Sequence, residues 1–300
     1  MAAKPVPPWT LMGTRMPPEL SPDLKAWVGR SRTTEEEIGI SSVRRIAAML
    51  DIDPASFRHG DPLPPHWFTL FFADAARQSD LGPDGHPKPG VFLPPIPLPR
   101  RMGAGRRVRI SQPLRVGDIA SRTAEVAAIL PKQARTGAIT VLTMRYTVRR
   151  GEELVAVEEF DAIYREAVAP GERSAVAPPT PAPADAAWRE EKVLDPALVF
   201  RYSAVTWNAH RIHFDADYAR GEEGYPAAVQ NGGLTMQLLL DAATERSPAR
   251  LTGFSARLTR ALYVGDALVL AGTPVADGKA RAWAADRDGN LCGEVEMEFA

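Results

Sequence analysis

The sequence predicts an α+β protein of two similar modules, each one apolar helix followed by antiparallel strands that wrap around it. Two fragments occur twice: "PLRVGD", ending at Asp118, returns as "ALYVGD", ending at Asp266, and "FFADAARQ" around Asp74 returns as "LLLDAATE" around Asp241. Between the copies, "VAPGERSAVAPPTPAPADAA" from Val168 to Ala187 is rich in prolines and small residues, the composition of an extended spacer. After the helix, each half reads only as strands.

The chain divides into a flexible N-terminal extension (1–17), a first module (18–167), the linker (168–187) and a second module (188–300). In the first module, "WFTLFFADAARQ" is expected as the helix, followed by strands "RRVRISQPLRV", "IASRTAEVAAIL", "AITVLTMRYTVRR" and "LVAVEEFDAIYR". The second opens on "FRYSAVTW", whose β-branched and aromatic content reads as a strand, and "HRIHFDADYA" starts a short helix. "GGLTMQLLLDAATE" is a helix so apolar that it needs cover on most sides, which a curled sheet supplies. Its strands, "RLTGFSARLTRALYV", "DALVLAGTPV", "KARAWAAD" and "LCGEVEMEF", are separated by the turn residues of a β-meander. A helix wrapped by such a sheet, present twice, is a double hotdog. From Asp74 to Asp118 the chain runs 44 residues, against 25 from Asp241 to Asp266, so the first module carries 19 extra. They fall in the Pro/Gly-rich "LGPDGHPKPGVFLPPIPLPRRMGAG", expected as an irregular flap of functional length.

Composition narrows the function. With 300 residues, 45% of them hydrophobic, the chain can bury a large core, and a net charge of −1 argues against a nucleic-acid partner or an anionic membrane surface. The single cysteine, Cys292, excludes intrachain disulfides and cysteine-rich metal sites. No apolar run has the length of a membrane span or signal peptide, so a cytoplasmic protein is expected.

The segment "VTWNAHRIHFD" from Val205 to Asp215 places two of the five histidines three residues apart. As residue types they suit a helix start, a metal clip or an acid/base pair. A metal would need Asp215 or Asp217 turned to the same face, and no metal or cofactor is expected. With "EGYPAAVQNGGLTMQLLLDAA", "FSARLTRALYVGDAL", "LPPIPLPRRMGAG" and "QPLRVGD", this segment resembles the MaoC-like hydratases and dehydratases, in the branch of mesaconyl-C4-CoA and itaconyl-CoA hydratases and mitochondrial-type 3-hydroxyacyl thioester dehydratases. The resemblance covers the chain from about Pro18 onward. It implies a hydro-lyase acting across the 2,3 bond of an enoyl- or 3-hydroxyacyl-CoA, with a short branched or dicarboxylic acyl chain. The alternatives are a hotdog acyl-CoA thioesterase, or a protein that binds acyl thioesters without turnover.

Carried onto this chain, the family motif puts its histidine at His213, its aspartate at Asn208 and its asparagine at His210. An amide orients water but does not exchange protons as a carboxylate does, so Asn208 implies a variant mechanism. Hydration needs a base for the water and donors for the enolate. His213 supplies the first, and the backbone N–H groups at Gly232 and Gly233, opening the central helix, supply the second. Asn231, Gly233, Gly103, Arg100, Arg101 and Arg211 are expected on the substrate, the flap arginines with Arg106 and Arg107 suiting CoA phosphates or an acyl carboxylate. Related sequences carry tryptophan at Gly103 and His-Gly-Pro at Asn231-Gly232-Gly233, departures that imply a different or bulkier acyl group. "DPLPPH" places Asp61 five residues before His66, but the duplication register aligns His66 with Gly233, so His66 is expected as a helix-start or pocket-wall residue. One chain is expected to form one site from both modules, with a homodimer as the assembly.

Overall fold

A computed structural model of the chain describes residues 20–134, 137–169, 171–174 and 178–300. The expected flexible extension, 1–17, and part of the linker lie outside the described residues.

The first module begins with the short helix α1 (Pro22–Lys25), capped by the Ser21 hydroxyl, then β1 (Ser31–Glu37) and α2 (Ile40–Met49). Its other strands are β2 (Arg100–Ile110), β3 (Ile119–Ala134), β4 (Gly137–Arg150) and β5 (Glu153–Arg165). The second module repeats the pattern with β6 (Trp188–Val193), α3 (Pro196–Val205), α4 (Ala216–Gly221), α5 (Gly232–Glu245), β7 (Leu251–Leu258), β8 (Ala267–Gly272), β9 (Lys279–Ala285) and β10 (Leu291–Phe299). All ten strands form one antiparallel sheet in the order β1-β3-β4-β5-β2-β7-β10-β9-β8-β6. Read outward from the centre, the two halves have the same order. The duplication is thus a pseudo-twofold axis between β2 and β7, where Gly105 to Arg109 pair with Arg257 to Gly253. Antiparallel pairing of two equivalent edge strands removes both edges from solvent.

The helix α5 matches its expected segment, with Leu234 and Leu239 fully buried among residues of β7 to β10. Three expectations are corrected. "FRYSAVTW" lies in α3 and its C-terminal turn, not in a strand: the Asp195 carboxylate accepts from the N–H groups of Ala197 and Leu198, and Pro196 sits at the first helical position. An N-cap plus an N1 proline outweighs β-propensity when one face packs on the core. "WFTLFFADAARQ" forms only a 3-10 turn, Pro65–Leu70, with Phe72 at φ 63° and its N–H donating to the Glu36 carboxylate. Six residues from Trp67 to Phe72 that are aromatic or β-branched save Leu70 have poor helix propensity, and burial of Trp67, Phe68 and Leu70 fixes the turn instead. "RRMGAG" belongs to β2 rather than to the flap. No pattern in the sequence analysis marks the segments that form α1, β1, α2 and β6.

Among the described residues the first module has no helix as long as α5, and the insert covers that half of the sheet. Ile96 packs with Leu24, Val126, Leu142, Met144 and Tyr164, and a cleft of about 190 Å³ remains between Trp27, Phe92, Leu93, Met144 and Tyr146. The main core runs through both modules without a break, from Ile38, Ile46 and Trp67 to Leu234, Leu239 and Leu270. His66, wholly buried, bonds through Nε2 to Asp241 in α5 at 2.7 Å, and Trp67 and Gln237 donate to the same carboxylate. Among the described residues, no helix is long and apolar enough to cross a membrane.

Candidate active site

The loop after α3 carries the histidine motif. Trp207 takes φ 53°, and the Asn208 side chain turns back to accept the N–H of His210 at 3.1 Å, closing an Asx turn that aims the next residues inward. A 3-10 turn, Arg211–His213, follows, and the Asp215 carboxylate caps α4 through the N–H of Tyr218. His213 Nδ1 lies 2.7 Å from the carbonyl of Val229, two residues before Asn231, the N-cap of α5. A carbonyl only accepts, so Nδ1 carries the hydrogen and Nε2 keeps its lone pair. Burial, opposed by the Val229 bond, pushes this imidazole down to about 4, leaving it neutral at pH 7.

His210 is buried, with Nε2 3.3 Å from Glu223 and its ring edge-on to His213 at 5.5 Å. Arg100 holds that glutamate at 3.2 Å and also donates to Ser174 at 2.9 Å and Tyr225 at 3.4 Å. Burial alone would raise the Glu223 carboxyl, but the His210 bond and the Arg100 charge outweigh it and hold it below its usual range. Arg211 is engaged with Asp215 at 2.6 Å and with the Pro83 carbonyl at 3.1 Å. Arg107 is held by Asp161 at 2.7 Å and Arg106 by Glu158 at 3.4 Å. Arg101 is engaged with the Tyr164 hydroxyl, and its charge reaches His86 and Tyr146, the latter lining the first-module cleft.

At the start of α5, Asn231 makes no side-chain cap bond; its amide donates to Ser203 at 3.2 Å instead. The first N–H groups of a helix have no intrahelical partner, so those of Gly232 and Gly233 stay available to a developing oxyanion. A Cβ on Gly232 would overlap Leu258, and one on Gly233 the Tyr202 hydroxyl, so glycine is what lets the helix end lie this close to its neighbours. Gly103 lies exposed on β2, where a Cβ would meet the Phe160 ring at 3.2 Å.

Asp84, His86 and Glu223 also join this cluster, and the motif reading missed them. The insert turn brings Asp84 and His86 onto His210, with the His86 and His210 ring centroids 4.1 Å apart. The one available signal was the "PDGH" turn chemistry inside a long insert; nothing near Glu223 in "RGEEGYP" marked it. Asp84, His86 and His210 offer metal-ligating atoms within 4.8 Å of one another. The Asp84 carboxylate and His86 Nδ1 are however already hydrogen-bonded to each other at 2.9 Å, and the Arg101 charge beside them opposes a cation.

Fold and cluster together define a double-hotdog protein whose second module carries a histidine site at the N-terminus of its central helix. Residues 66–264 match the family described as hydroxyacyl-thioester dehydratase type 2. The chain is 41% identical over 246 residues to mesaconyl-C4-CoA hydratase of Chloroflexus aurantiacus, spanning 81% of this chain and 86% of that protein. It is 29% identical over 206 residues to the mitochondrial hydroxyacyl-thioester dehydratase type 2 of Schizosaccharomyces pombe, 60% of this chain and 66% of that one. Among solved structures, a MaoC-like dehydratase from Phytophthora capsici superposes with a TM-score of 0.70 at 14% identity, over 93% of this chain and 98% of that one. A Mycobacterium tuberculosis protein described as a double hotdog fold does so with a TM-score of 0.55 at 15% identity, over 93% and 98%. The chain belongs to the hydroxyacyl-thioester dehydratase type 2 family. It is a hydro-lyase of acyl thioesters.

Proposed function

We propose that this enzyme adds water to, and removes it from, a short branched dicarboxylic enoyl-CoA of the mesaconyl-C4-CoA type. The observation that carries the reading is His213, with Nδ1 committed to Val229 and Nε2 left as a neutral base beside the start of α5. In hydration, Nε2 takes a proton from water as the water oxygen bonds to C3 of the acyl group. The π pair moves toward the thioester carbonyl, whose oxygen gains negative charge opposite the N–H groups of Gly232 and Gly233. The proton on His213 then passes to C2, so the protein ends in the state in which it began.

Asn208 shapes the loop and orients His210, and His210 with Glu223 and Arg100 holds the wall of the site. Asn231 and Gly233 border the carbonyl, Gly103 gives the acyl group room, and Arg211 ties the flap to the motif loop. Arg101 supports the dicarboxylic preference. In a mesaconyl-C4 thioester the free carboxylate sits on the carbon that receives the hydroxyl, which is where a cation whose charge reaches His86 serves best. The units 18–167 and 188–300 act as substrate-channel and catalytic modules of a single site, in a cytoplasmic homodimer whose contact includes the exposed Phe200, Trp207 and Phe214.

The test is loss of enoyl absorbance on mesaconyl-C4-CoA, with release of free thiol followed in parallel. Hydration without thiol release supports the reading; thiol release without hydration overturns it in favour of a thioesterase. Saturable binding without either change overturns it in favour of a carrier.

A further inference from the structure

The insert of the first module does more than cover the sheet. Between Leu81 and Pro87, which bridge each other, it folds into a closed turn in which Gly82 N–H donates to the His86 carbonyl at 2.7 Å and Gly85 N–H to the Gly82 carbonyl at 3.0 Å. Gly85 has φ 88°, and a Cβ there would overlap the carbonyl of Ala209, so only glycine lets this turn seat against the motif loop. The seat is fastened by the Arg211 N–H on the Asp84 carbonyl at 2.8 Å. Both oxygens of the Asp84 carboxylate serve one residue: Oδ1 accepts the His86 backbone N–H at 3.0 Å, and Oδ2 lies 2.9 Å from His86 Nδ1. Nδ1 therefore carries the hydrogen and Nε2 the lone pair, the same arrangement that Val229 imposes on His213.

His210 packs against both other imidazoles, with ring centroids 4.1 Å from His86 and 5.5 Å from His213. It is committed through Nε2 to Glu223, which leaves His86 and His213 as the two with uncommitted Nε2 atoms. We infer that His86, delivered by the insert, is a second catalytic residue of the hydration site, the acceptor that holds the attacking water in the place of the carboxylate that Asn208 cannot be. The inference rests on the hydratase reading. Hydration proceeds with the Nε2 atoms of His213 and His86 each accepting one hydrogen of the same water, so that the water's oxygen lone pair faces C3. One hydrogen leaves to His213 as a proton while the C–O bond forms and the π pair shifts to C2 and the carbonyl; that proton is returned to C2. His86 keeps its hydrogen bond throughout to what becomes the hydroxyl, and in dehydration it receives that hydroxyl in the same way. Water adds across the bond, no electrons are gained or lost by the protein, and its protonation is restored.

Two features support the role. Burial, opposed by the Asp84 bond, with the Arg101 and His210 charges acting in the same direction as burial, holds the His86 imidazole down to about 4, so it is a neutral acceptor at pH 7. Its side chain also retains 18% exposure, so solvent reaches the group.

The full-length chain is assayed with mesaconyl-C4-CoA as wild type, His86→Phe, His86→Ala and His213→Ala. His86→Phe keeps a ring against His210 but has no lone pair. It is expected to lose about 10²-fold in kcat, the scale for a misplaced reactant, with KM changed less than about threefold. His86→Ala shows the same loss, and added imidazole restores part of its turnover while leaving His86→Phe unchanged. A His86→Phe variant that stays folded and keeps kcat within about threefold of wild type assigns His86 a packing role and overturns the inference, while the hydratase reading stands. Loss of wild-type activity on chelation, restored by Zn²⁺, makes the trio a cation site and also overturns it. A wild type that hydrates no enoyl-CoA removes the hydratase reading and the inference together.

Discussion

The proposed role of His213 as base rests on two local facts, a carbonyl that fixes its tautomer and burial that keeps it neutral. His213→Ala is expected to lower kcat about 10²- to 10⁴-fold on the enoyl absorbance assay, with the fold intact by circular dichroism. The pH dependence follows in sign. Both His86 and His213 fall to about 4 in the folded chain from an ordinary 6.5, so between those values the unfolded chain binds more protons. Their contribution to stability is full above pH 6.5 and is lost as pH falls toward 4, and kcat/KM should stay flat down to about pH 5 before dropping. A melting temperature insensitive to pH across that window would show that neither group is buried neutral. Arg101 separates substrates: Arg101→Met should raise KM for the dicarboxylic thioester by about tenfold or more while leaving an uncharged enoyl-CoA of similar length little changed.

The elements owe their positions to a few decisive contacts. The insert turn sits on the motif loop because Gly85 has no side chain, and α5 lies against Leu258 because Gly232 has none. Gly232→Ala should therefore reduce kcat by about tenfold through a shifted helix end, while stability changes by less than about 1 kcal/mol, since alanine favours the helix as the Leu258 side chain gives way. Thermal melts beside initial rates would separate the two effects. The first-module segment that forms a 3-10 turn in place of a helix shows the opposite balance. There Trp67 and Phe68 bury themselves at once, and the insert takes over the sheet face that a helix would have covered.

At the scale of the whole molecule the modules share one sheet and one core. β2 pairs with β7, the core crosses between them, and the Asp241 carboxylate takes hydrogen bonds from His66 and Trp67 of the first module and Gln237 of its own helix. Asp241→Ala leaves those buried donors without an acceptor and should cost about 2 to 4 kcal/mol, read as a lower melting temperature with kcat within about threefold of wild type. The second module expressed from residue 188 onward exposes the β7 edge and loses both the insert turn and Arg100. It should aggregate or self-pair and be inactive on CoA esters; a monomeric, fully active fragment would refute the shared site.

What the sequence determined by itself was whatever short-range patterns encode. The repeated fragments, the meander turns and the uniformly apolar segment behind Gly232 specify a double hotdog and place α5, because propensity, burial and turn chemistry agree there. Asn208, His210 and His213 were legible as a motif because all three lie within one loop of six residues. Where local signals conflicted, the tertiary structure decided: Asp195 and Pro196 turned a β-rich segment into α3, and packing held Trp67 to Phe72 out of a helix. It also decided the composition of the site. Asp84, His86, Arg100 and Glu223 are separated in sequence by up to 139 residues, and no local pattern couples them. Their meeting depends on how the pseudo-twofold lays the insert of one module over the histidine loop of the other, a consequence of chain-wide packing to which no single segment holds the information.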